Sequence, residues 1–322
     1  MKGTSVRVLV LGATGYIGSA VVEGLALAGH DVVRLVKDAA RFAPDVPARV
    51  GDLTDPASLR AAVTDDIDAV LHIAAPTGEE AVDAAAVQGL LQPLRGTGRA
   101  FVYTSGVRVL GATGDTAVDE DAATDAIGIL GYRPRIERQV LAAADDGVRA
   151  VVIRPGIAYG NGGGIPALMT GWARAHGTGR YVGAVDTRWP MVHVEDLAAL
   201  YVLALHRAEE GTLLHGVAHE AVPVAALAAA ADISAGGPGR AEPWPLDLAV
   251  EELGGPFAEA LALSQVVSGR RAVDELGWQP RRPYPLTELT GDAVPDTDRG
   301  NEVLERSAAR HLRFEEGIPE GV

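Results

Sequence analysis

A short apolar strand followed by a glycine turn and a helix limits the fold of this chain more than any other feature. Residues 6–11 form an apolar run typical of a parallel strand buried on both faces. Helical periodicity covers Tyr16–Leu27, and between the two lie Gly12, Gly15 and Gly18 at G-x-x-G-x-x-G spacing. Such a turn lets the backbone approach a pyrophosphate, while the helix N-terminus supplies free N–H groups. The opening therefore predicts a dinucleotide site.

The surrounding sequence supports this prediction, since three spaced glycines also occur in ordinary strand-to-helix turns. The helix is followed by Gly29 and by a second apolar run at Asp31–Val36. A strand, a helix and a second strand complete a βαβ unit, which is the context that the glycine pattern requires.

Strands and helices continue to alternate along the chain. Apolar runs predict strands at residues 48–53, 68–75, 99–104 and 149–154. Stretches rich in Ala and Leu predict helices at residues 57–63, 81–94 and 133–144. The alternation indicates an α/β fold with a doubly wound parallel Rossmann sheet.

Composition divides the chain into three parts. We expect a Rossmann domain at residues 1–155 and a smaller C-terminal substrate-binding domain at residues 156–290 that weaves back onto the sheet. The glycine-rich run at residues 159–164 predicts a flexible loop at the crossing. Residues 291–322 read as a tail with a polar helix at residues 301–314, which would dock on the body or on a second subunit of a homodimer.

Charge and cysteine content exclude several classes of function. The 322 residues carry 28 basic and 43 acidic side chains, a net charge of −15, which argues against nucleic-acid and membrane partners and favours a small-molecule substrate. The chain has no cysteine, which excludes disulfides, thiolate metal sites and Cys nucleophiles. Without a signal-peptide pattern or a long apolar stretch, the expected location is cytoplasmic.

Basic residues at the end of the second strand bear on the choice of cofactor. An acidic residue there would bind the ribose 2′-hydroxyl of NAD, whereas basic residues accommodate the 2′-phosphate of NADP. Arg34, Lys37 and Arg41 cluster at this point, and Asp38 alone opposes them. The cluster favours NADP over NAD, the alternative being that these are solvated surface charges.

Seven ordered motifs resemble those of one superfamily. They read GATGYIGS at residues 12–19, GDL at 51–53, LHIAA at 71–75, FVYTSG at 101–106, IRPGIAYG at 153–160, VHVEDLA at 192–198 and LGWQP at 276–280. In this order they resemble the extended short-chain dehydrogenase/reductase superfamily of the epimerase/dehydratase type, over about residues 6–290.

The resemblance implies a set of cofactor contacts along the chain. Around the pyrophosphate it implies Gly12, Thr14, Gly15, Tyr16, Ile17 and Gly18. It also implies Asp52 and Leu53 at the adenine, Ala74 and Ala75 near the ribose, and Pro155, Gly156 and Ile157 beside the nicotinamide.

The catalytic pair of that superfamily, a Tyr with a Lys four residues later on one helix, is missing. Each of the seven tyrosines has a residue other than Lys or Arg at the fourth following position. In one alignment Tyr132 keeps the Tyr role and Ile136 replaces the Lys. In the other, which we favour, Arg133 takes the Lys role, supported by Glu137, and Ile129 replaces the Tyr. Arg133 would bind the ribose as a fixed charge.

The usual Ser or Thr of the catalytic site is also displaced. Counted back from Gly111, its position falls on Gly106, which leaves Thr104 and Ser105 as neighbours. The candidates for catalysis are therefore Ser105, Tyr132 and Arg133, with Thr104 as a further cofactor contact or proton donor.

Other polar and aromatic residues have a structural interpretation as well as a functional one. His193, Glu195 and Asp196 could suggest a metal, but a strand-to-helix junction with Asp196 as the helix cap is favoured, and we expect no metal site. His72 reads as a core histidine. Aromatic residues that would line a substrate cleft or pack in the core are Tyr159, Trp172, His176, Tyr181 and Trp189.

These features lead to one expected function and two alternatives. The first is an NADP(H)-dependent oxidoreductase of atypical short-chain type acting on a small carbonyl or imine compound. The second is a non-redox isomerase, epimerase or cyclase on the same fold. The third is an NADP-sensing protein without turnover, an alternative suggested by the missing catalytic pair.

Overall fold

Seven parallel strands form the central sheet in a computed structural model that describes residues 5–38 and 46–291. The strands are β1 (Arg7–Leu11), β2 (Asp31–Val36), β3 (Ala48–Val50), β4 (Ala69–His72), β5 (Ala100–Thr104), β6 (Arg149–Pro155) and β10 (Thr212–Gly216). Their order is β10-β6-β5-β4-β1-β2-β3. The doubly wound parallel sheet is confirmed, and Arg41 and the predicted helix at 301–314 lie outside the described residues.

Alternate residues of the strands feed two cores, one on each face of the sheet. In β1, Val8 and Val10 belong to one core, and Leu9 and Leu11 belong to the other. Helices α1 (Tyr16–Leu27), α6 (Val194–Arg207) and α10 (Arg270–Leu276) cover the first face. Helices α2 (Pro56–Ala62), α3 (Glu80–Leu91) and α4 (Arg133–Leu141) cover the second. Burial on both faces explains the unbroken apolar runs of the strands.

The second half of the chain builds a third core beside the sheet. Two small sheets contain β7 (Ile157–Gly160), β8 (Gly179–Val182), β9 (Arg188–His193), β11 (His219–Pro223) and β12 (Ala241–Trp244), in the orders β11-β9-β7 and β12-β8. The helices around them are α5 (Gly164–His176), α7 (Val224–Ser234), α8 (Leu246–Leu253), α9 (Gly255–Ala262) and α11 (Pro285–Thr290). Strand β10 and helix α6, from the same half, join the central sheet and its first face.

Residues 159–164 form the end of a strand and a tight turn rather than the loop that was expected. Strand β7 runs to Gly160 and α5 begins at Gly164, so a tight turn joins them. Asn161 has φ of 52°, and Gly162 has φ of 68°. Positive φ angles of this kind are those that glycine adopts most readily, and here they allow a sharp reversal of the chain.

Two predicted strands are shorter than expected, and two predicted helices change form before they end, the first of them α3, which gives way after Leu91 to a 3₁₀ turn. Strand β3 stops at Val50 because Asp52 folds the chain into a turn by accepting the N–H of Thr54 at 2.9 Å. Strand β4 stops at His72, and α4 gives way after Leu141 to a 3₁₀ turn. Within the described residues, no helix is both long and apolar enough to cross a membrane.

Candidate cofactor and substrate site

The carboxyl ends of six neighbouring strands bring the predicted site residues to one edge of the sheet. The chain winds from β1 outward to β3, returns to the centre, and continues from β4 toward β6. At this edge lie Gly12 after β1, Lys37 after β2, Asp52 after β3, Ala74 after β4, Ser105 after β5 and Pro155 at the end of β6. The reversal lies between β1 and β4, and such a switch point is where open α/β sheets bind ligands.

The first glycine turn is fixed by close approach of backbone to backbone. Gly12 has φ of 76°, and a Cβ placed on it would lie 2.6 Å from backbone atoms of Ala74. A Cβ on Gly18 would lie 2.0 Å from the Gly12 carbonyl oxygen, while the Gly15 N–H donates to that oxygen at 3.0 Å. Helix α1 starts at Tyr16 without a side-chain cap and without an acidic residue in its first turn. Its free N–H groups suit the pyrophosphate of a dinucleotide.

The remaining residues implied at the pyrophosphate surround this helix start. Thr14 is exposed, whereas Ile17 is partly buried against the first core. Both stay predicted contacts.

The far end of the edge brings the predicted 2′-phosphate and adenine residues together. Lys37 Nζ lies 3.3 Å from Asp52 Oδ2, and Thr54 donates its N–H and hydroxyl to Asp52 Oδ1. Burial opposes ionisation of Asp52, but the Thr54 hydrogen bonds and the Lys37 ammonium outweigh it and lower its pKa. Arg34 lies in β2 opposite Ala48 of β3. Leu53 packs on the second core.

Three buried polar atoms at the centre of the edge have no hydrogen-bond partner among the described residues. They are Nδ1 of His72, Oγ of Ser105 and Nε of Arg133. Buried polar groups are normally satisfied, and those left open in a native protein call for a ligand or a water. Together with the glycine turn, they fit a bound nicotinamide dinucleotide.

Arg133 extends from the start of α4 toward the end of β5. Its Nη2 donates to the Thr104 carbonyl oxygen at 2.5 Å and to Tyr103 Oη at 3.2 Å, and its Cζ lies 5.5 Å from the centre of the Tyr103 ring. Burial, followed by the nearby Arg133 cation, lowers the pKa of His72 to about 4. His72 is therefore a neutral core histidine at pH 7, as the sequence indicated.

Glu137 does not support Arg133, contrary to the prediction. Its carboxylate is buried and takes two hydrogen bonds from Arg154 of β6, at 2.9 and 2.6 Å. The spacing of four puts Glu137 on the same face of α4 as Arg133, but the parallel N–H groups of Arg154 match both of its oxygens. The pair ties α4 to the sheet.

Tyr132 is held by a different helix. Its hydroxyl donates to Asp83 Oδ2 of α3 at 2.5 Å, and Asp83 also accepts the N–H and the hydroxyl of Thr77. Burial, and then the hydrogen bond to the Asp83 carboxylate, raise the pKa of Tyr132. The hydroxyl is therefore committed to a buried carboxylate.

Thr104 and Ser105 differ in what their hydroxyls contact. Thr104 Oγ1 lies 2.6 Å from Tyr201 Oη of α6, so its hydroxyl is already paired. Ser105 Oγ is one of the unpartnered atoms, and the residue is 8% exposed. Of the two, Ser105 has the hydroxyl that is open to a ligand. No sequence pattern indicates a role for Tyr201, because its partner Thr104 lies on another element.

The predicted nicotinamide end lies where β6 passes into β7. The Gly156 N–H donates to the Gly216 carbonyl oxygen at 3.0 Å, and a Cβ on Gly156 would lie 2.7 Å from the Pro190 carbonyl oxygen. Pro155 is buried and Ile157 is partly buried, whereas Ala75, beyond β4, is exposed.

The side chain of Tyr16 joins the cofactor turn to the turn between β7 and α5. Its hydroxyl donates to the Gly160 carbonyl oxygen at 2.7 Å. A Cβ on Gly163 would lie 2.3 Å from the Tyr16 ring, and one on Gly160 would lie 2.0 Å from His193 Nε2. Sequence reasoning assigned Tyr16 to the pyrophosphate and missed this second contact. The glycines of residues 160–164 make room for these two rings.

The helix cap expected from Asp196 is wrong. His193 is the cap of α6, since its Nδ1 accepts the N–H of Glu195 at 3.2 Å. The Asp196 carboxylate instead accepts the backbone N–H groups of Arg281 and Arg282, at 3.0 and 2.9 Å. Over residues 5–38 and 46–291, no group of three His, Asp or Glu side chains is placed to hold a metal ion.

The aromatic residues of the second half lie in or against the third core. Tyr159, Tyr181 and Trp189 are buried in it, and Trp172 packs on it from the side. His176 lies 5.5 Å from the Trp244 ring, and its Nε2 lies 3.1 Å from Glu252. Core packing therefore accounts for most of this set.

Comparisons with known proteins agree with this geometry. Residues 8–215 match the model of the NAD dependent epimerase/dehydratase family. An uncharacterized protein of Schizosaccharomyces pombe is 31% identical, over 89% of this chain and 99% of its own length. The 3-diazoavenalumate denitrifying reductase of a Streptomyces species is 30% identical, over 86% of this chain and 97% of its own length.

A solved structure shares the fold over nearly its whole length. Human epimerase family protein SDR39U1, determined with NADPH, superimposes with a TM-score of 0.71 at 24% identity, over 88% of this chain and 98% of that chain.

Proposed function

Because the chain belongs to the NAD dependent epimerase/dehydratase family, we propose that it is a cytoplasmic NADP(H)-dependent oxidoreductase that reduces a small carbonyl or imine compound. The observation that carries the proposal is the set of unpartnered buried atoms beside the glycine turn. Ser105 Oγ and Arg133 Nε lie at the carboxyl edge of the sheet, and a nicotinamide ribose and a reacting group would satisfy them.

The choice of NADP rests on the basic side chains of β2 and of the residues that follow. Arg34 and Lys37 supply positive charge at the strand that carries the 2′-hydroxyl ligand in NAD-binding relatives of this fold. The human neighbour was determined with NADPH, which supports the same choice. We expect Arg34→Ala and Lys37→Ala each to raise the Kd of NADPH by about tenfold and to leave that of NADH nearly unchanged. Fluorescence titration of both cofactors tests this.

The proposed catalytic groups of this chain differ from a Tyr-Lys pair in how they donate or relay a proton. When bound, the nicotinamide supplies two electrons as a hydride. Ser105 donates a hydrogen bond to the substrate oxygen or nitrogen and relays a proton from water. Arg133 binds the ribose and stabilises negative charge through the planar fork of its guanidinium.

Weak acid catalysis limits the substrate to an electrophilic group. General acid catalysis contributes roughly 10² to 10⁴ in rate, so an acceptor that needs little of it tolerates the missing pair best. The Streptomyces relative is named as a denitrifying reductase of 3-diazoavenalumate, a diazo compound. Activated carbonyl, iminium and diazo compounds are therefore the first substrates to test.

The experiment is oxidation of NADPH by the purified protein across a panel of such compounds. We expect turnover with at least one of them, and a kcat/KM about 10² lower in Ser105→Ala. The matched control is Ser234→Ala at the end of α7, which should keep wild-type turnover. No cofactor oxidation with any member of the panel contradicts the proposal.

The family name favours a second candidate, a non-redox epimerase or isomerase that keeps its cofactor. The same incubations distinguish it. A product equal in mass to the substrate, formed without net loss of NADPH, supports the second candidate and excludes the first.

A further inference from the structure

Two arginines near the end of β5 are buried without a carboxylate partner among the described residues. Arg133 has been assigned to the ribose. The other is Arg108, on the 3₁₀ turn Val107–Leu110 that follows β5, and it is 8% exposed. Its Nη1 donates to the Leu263 carbonyl oxygen at 2.9 Å, and its Cζ lies 5.7 Å from the centre of the Trp189 ring. The proposed reaction does not use it.

A buried guanidinium normally has a counter-ion, as the same protein shows elsewhere. Arg154 is 4% exposed, and both oxygens of Glu137 neutralise it. Arg108 is almost as buried, yet in residues 5–38 and 46–291 no Asp or Glu oxygen lies within ion-pair distance of it. Burial alone lowers the pKa of Arg108, to about 9, so the side chain stays cationic at neutral pH. A buried cation without an anion is unfavourable unless a ligand supplies one.

The position of Arg108 places it at the substrate end of the site. It follows Ser105, the proposed hydrogen-bond donor, by three residues. On its other side, Trp189 precedes Pro190, whose carbonyl oxygen lies against Gly156 at the predicted nicotinamide end. The guanidinium therefore lies against β9, the strand whose Pro190 carbonyl oxygen backs Gly156 at the predicted nicotinamide end.

The guanidinium also has free hydrogen-bonding capacity. Its one hydrogen bond within the described part of the chain uses Nη1. Nε and Nη2 have no partner there, and neither is sealed from solvent as Nε of Arg133 is. These two nitrogens form one edge of the planar fork, the edge that binds a carboxylate with two parallel hydrogen bonds.

We propose that Arg108 binds a carboxylate group of the substrate, so that the proposed reductase acts on a small carboxylic acid. A carboxylate, with one negative charge, matches the single charge of the Arg108 guanidinium better than a phosphate does. Arg188, the neighbour of Trp189, extends from β9 to the opposite side and forms an ion pair with Asp115. Val107, Val109 and Leu110 of the same turn are buried in a hydrophobic cluster of their own, which fixes the turn that carries Arg108.

Binding of paired probes to the NADP(H)-loaded protein tests this without requiring turnover. The probes are acetate, pyruvate, benzoate and cinnamate, each paired with its uncharged amide, and calorimetry gives the Kd values. In the wild-type protein we expect at least one acid to bind ten times more tightly than its amide. In Arg108→Gln that preference should disappear while the affinity for the amide stays the same. The matched control is Arg188→Gln, which should keep the preference.

Several results would overturn the assignment. An absence of any preference for acid over amide in the wild-type protein is one, and a preference that survives in Arg108→Gln is another. If Arg108→Gln does not fold, Arg108→Lys decides instead: it keeps the charge but loses the fork, so acid binding should weaken several-fold, and unchanged binding contradicts the proposal.

The inference rests on the proposed function, and the two can fail separately. Arg108-dependent acid binding without NADPH oxidation would overturn the reductase and leave the carboxylate site standing. NADPH oxidation of neutral compounds alone, without acid binding, would do the reverse.

Discussion

Two glycine turns face each other across Tyr16, and their glycines are required for different reasons. In the turn of residues 12–18, added Cβ atoms on Gly12 and Gly18 would meet backbone atoms. In the turn of residues 160–164, Cβ atoms on Gly160 and Gly163 would meet the rings of His193 and Tyr16, whereas one on Gly164 would lie 2.2 Å from the Ala158 carbonyl oxygen. Backbone next to a central strand has little room to move, whereas a ring can be replaced by a smaller side chain. The first turn is thus determined by its own backbone path, and Gly160 and Gly163 of the second turn are required by two side chains from elsewhere in the chain.

Substitution at the first turn should give the largest effect. Gly18→Ala puts a methyl group 2.0 Å from the Gly12 carbonyl oxygen, so we expect a loss of more than about 3 kcal/mol in the free energy of unfolding and no measurable NADPH binding. Urea unfolding and cofactor titration measure both. The control is Gly24→Ala in the same helix, where the nearest atom is 3.5 Å away and a gain of about 0.5–1 kcal/mol is expected. A stable, NADPH-binding Gly18→Ala protein would contradict the first half of the comparison.

Substitution at the second turn should be smaller in effect and open to rescue. Gly163 has φ of −119°, which any residue adopts, so the Tyr16 ring is the obstacle to Gly163→Ala. We expect a loss of about 1–3 kcal/mol, much of it recovered in the Tyr16→Leu, Gly163→Ala double variant. Gly171→Ala in α5, with nothing within 4 Å, is the control. Additive losses in the double-mutant cycle would show that the ring is not the cause.

Acidification should affect the second turn through His193. Burial lowers the pKa of His193 despite the raising effect of Glu288, Glu195 and Asp196, and Arg282 lowers it further. The unfolded chain, with a pKa near 6.5, then binds more protons, so stability falls as the pH drops below about 6.5. We expect unfolding free energies to decline more steeply in the wild type than in His193→Gln, by up to about 1.4 kcal/mol per pH unit. Equal slopes in urea unfolding between pH 7 and 5 would exclude this contribution.

The hydrogen bond between the two turns should have the smallest effect. Tyr16→Phe keeps the ring against Gly163 and removes the hydroxyl that donates to Gly160. We expect a loss of about 1 kcal/mol in thermal or urea unfolding, with little change in NADPH affinity. A loss as large as that of Gly163→Ala would mean that the hydroxyl, rather than the ring, holds the turns together.

Sequence patterns correctly predicted the elements whose position depends mainly on neighbouring residues. Helix α1 and strand β2 occupy Tyr16–Leu27 and Asp31–Val36, the residues that periodicity indicated, because both faces of the strand and one face of the helix are buried. The glycine turn was predictable for a similar reason, because the spacing of its glycines reflects the positions at which the backbone of the turn requires them.

Sequence patterns could not predict contacts between elements that lie far apart along the chain. Glu137 was assigned to Arg133 by helical spacing, but its partner Arg154 comes from the next strand. Asp196 was assigned to its own helix, but it accepts N–H groups of Arg281 and Arg282, far along the chain. The contact of Thr104 with Tyr201, which leaves Ser105 as the hydroxyl without a partner, also joins two distant elements and has no signal in the sequence.

The attachment of the C-terminal segment to α6 has a consequence for how the protein is made. Trp278 donates its indole N–H to the Asp196 carbonyl oxygen and lies in the same core as Val8 of β1. On the ribosome, β1 and α1 emerge long before α6, and α6 before Trp278. The part of this apolar face that α6, α10 and Trp278 cover therefore stays exposed through most of synthesis, while α1 covers the rest early, and exposed apolar surface of this kind favours aggregation of the nascent chain.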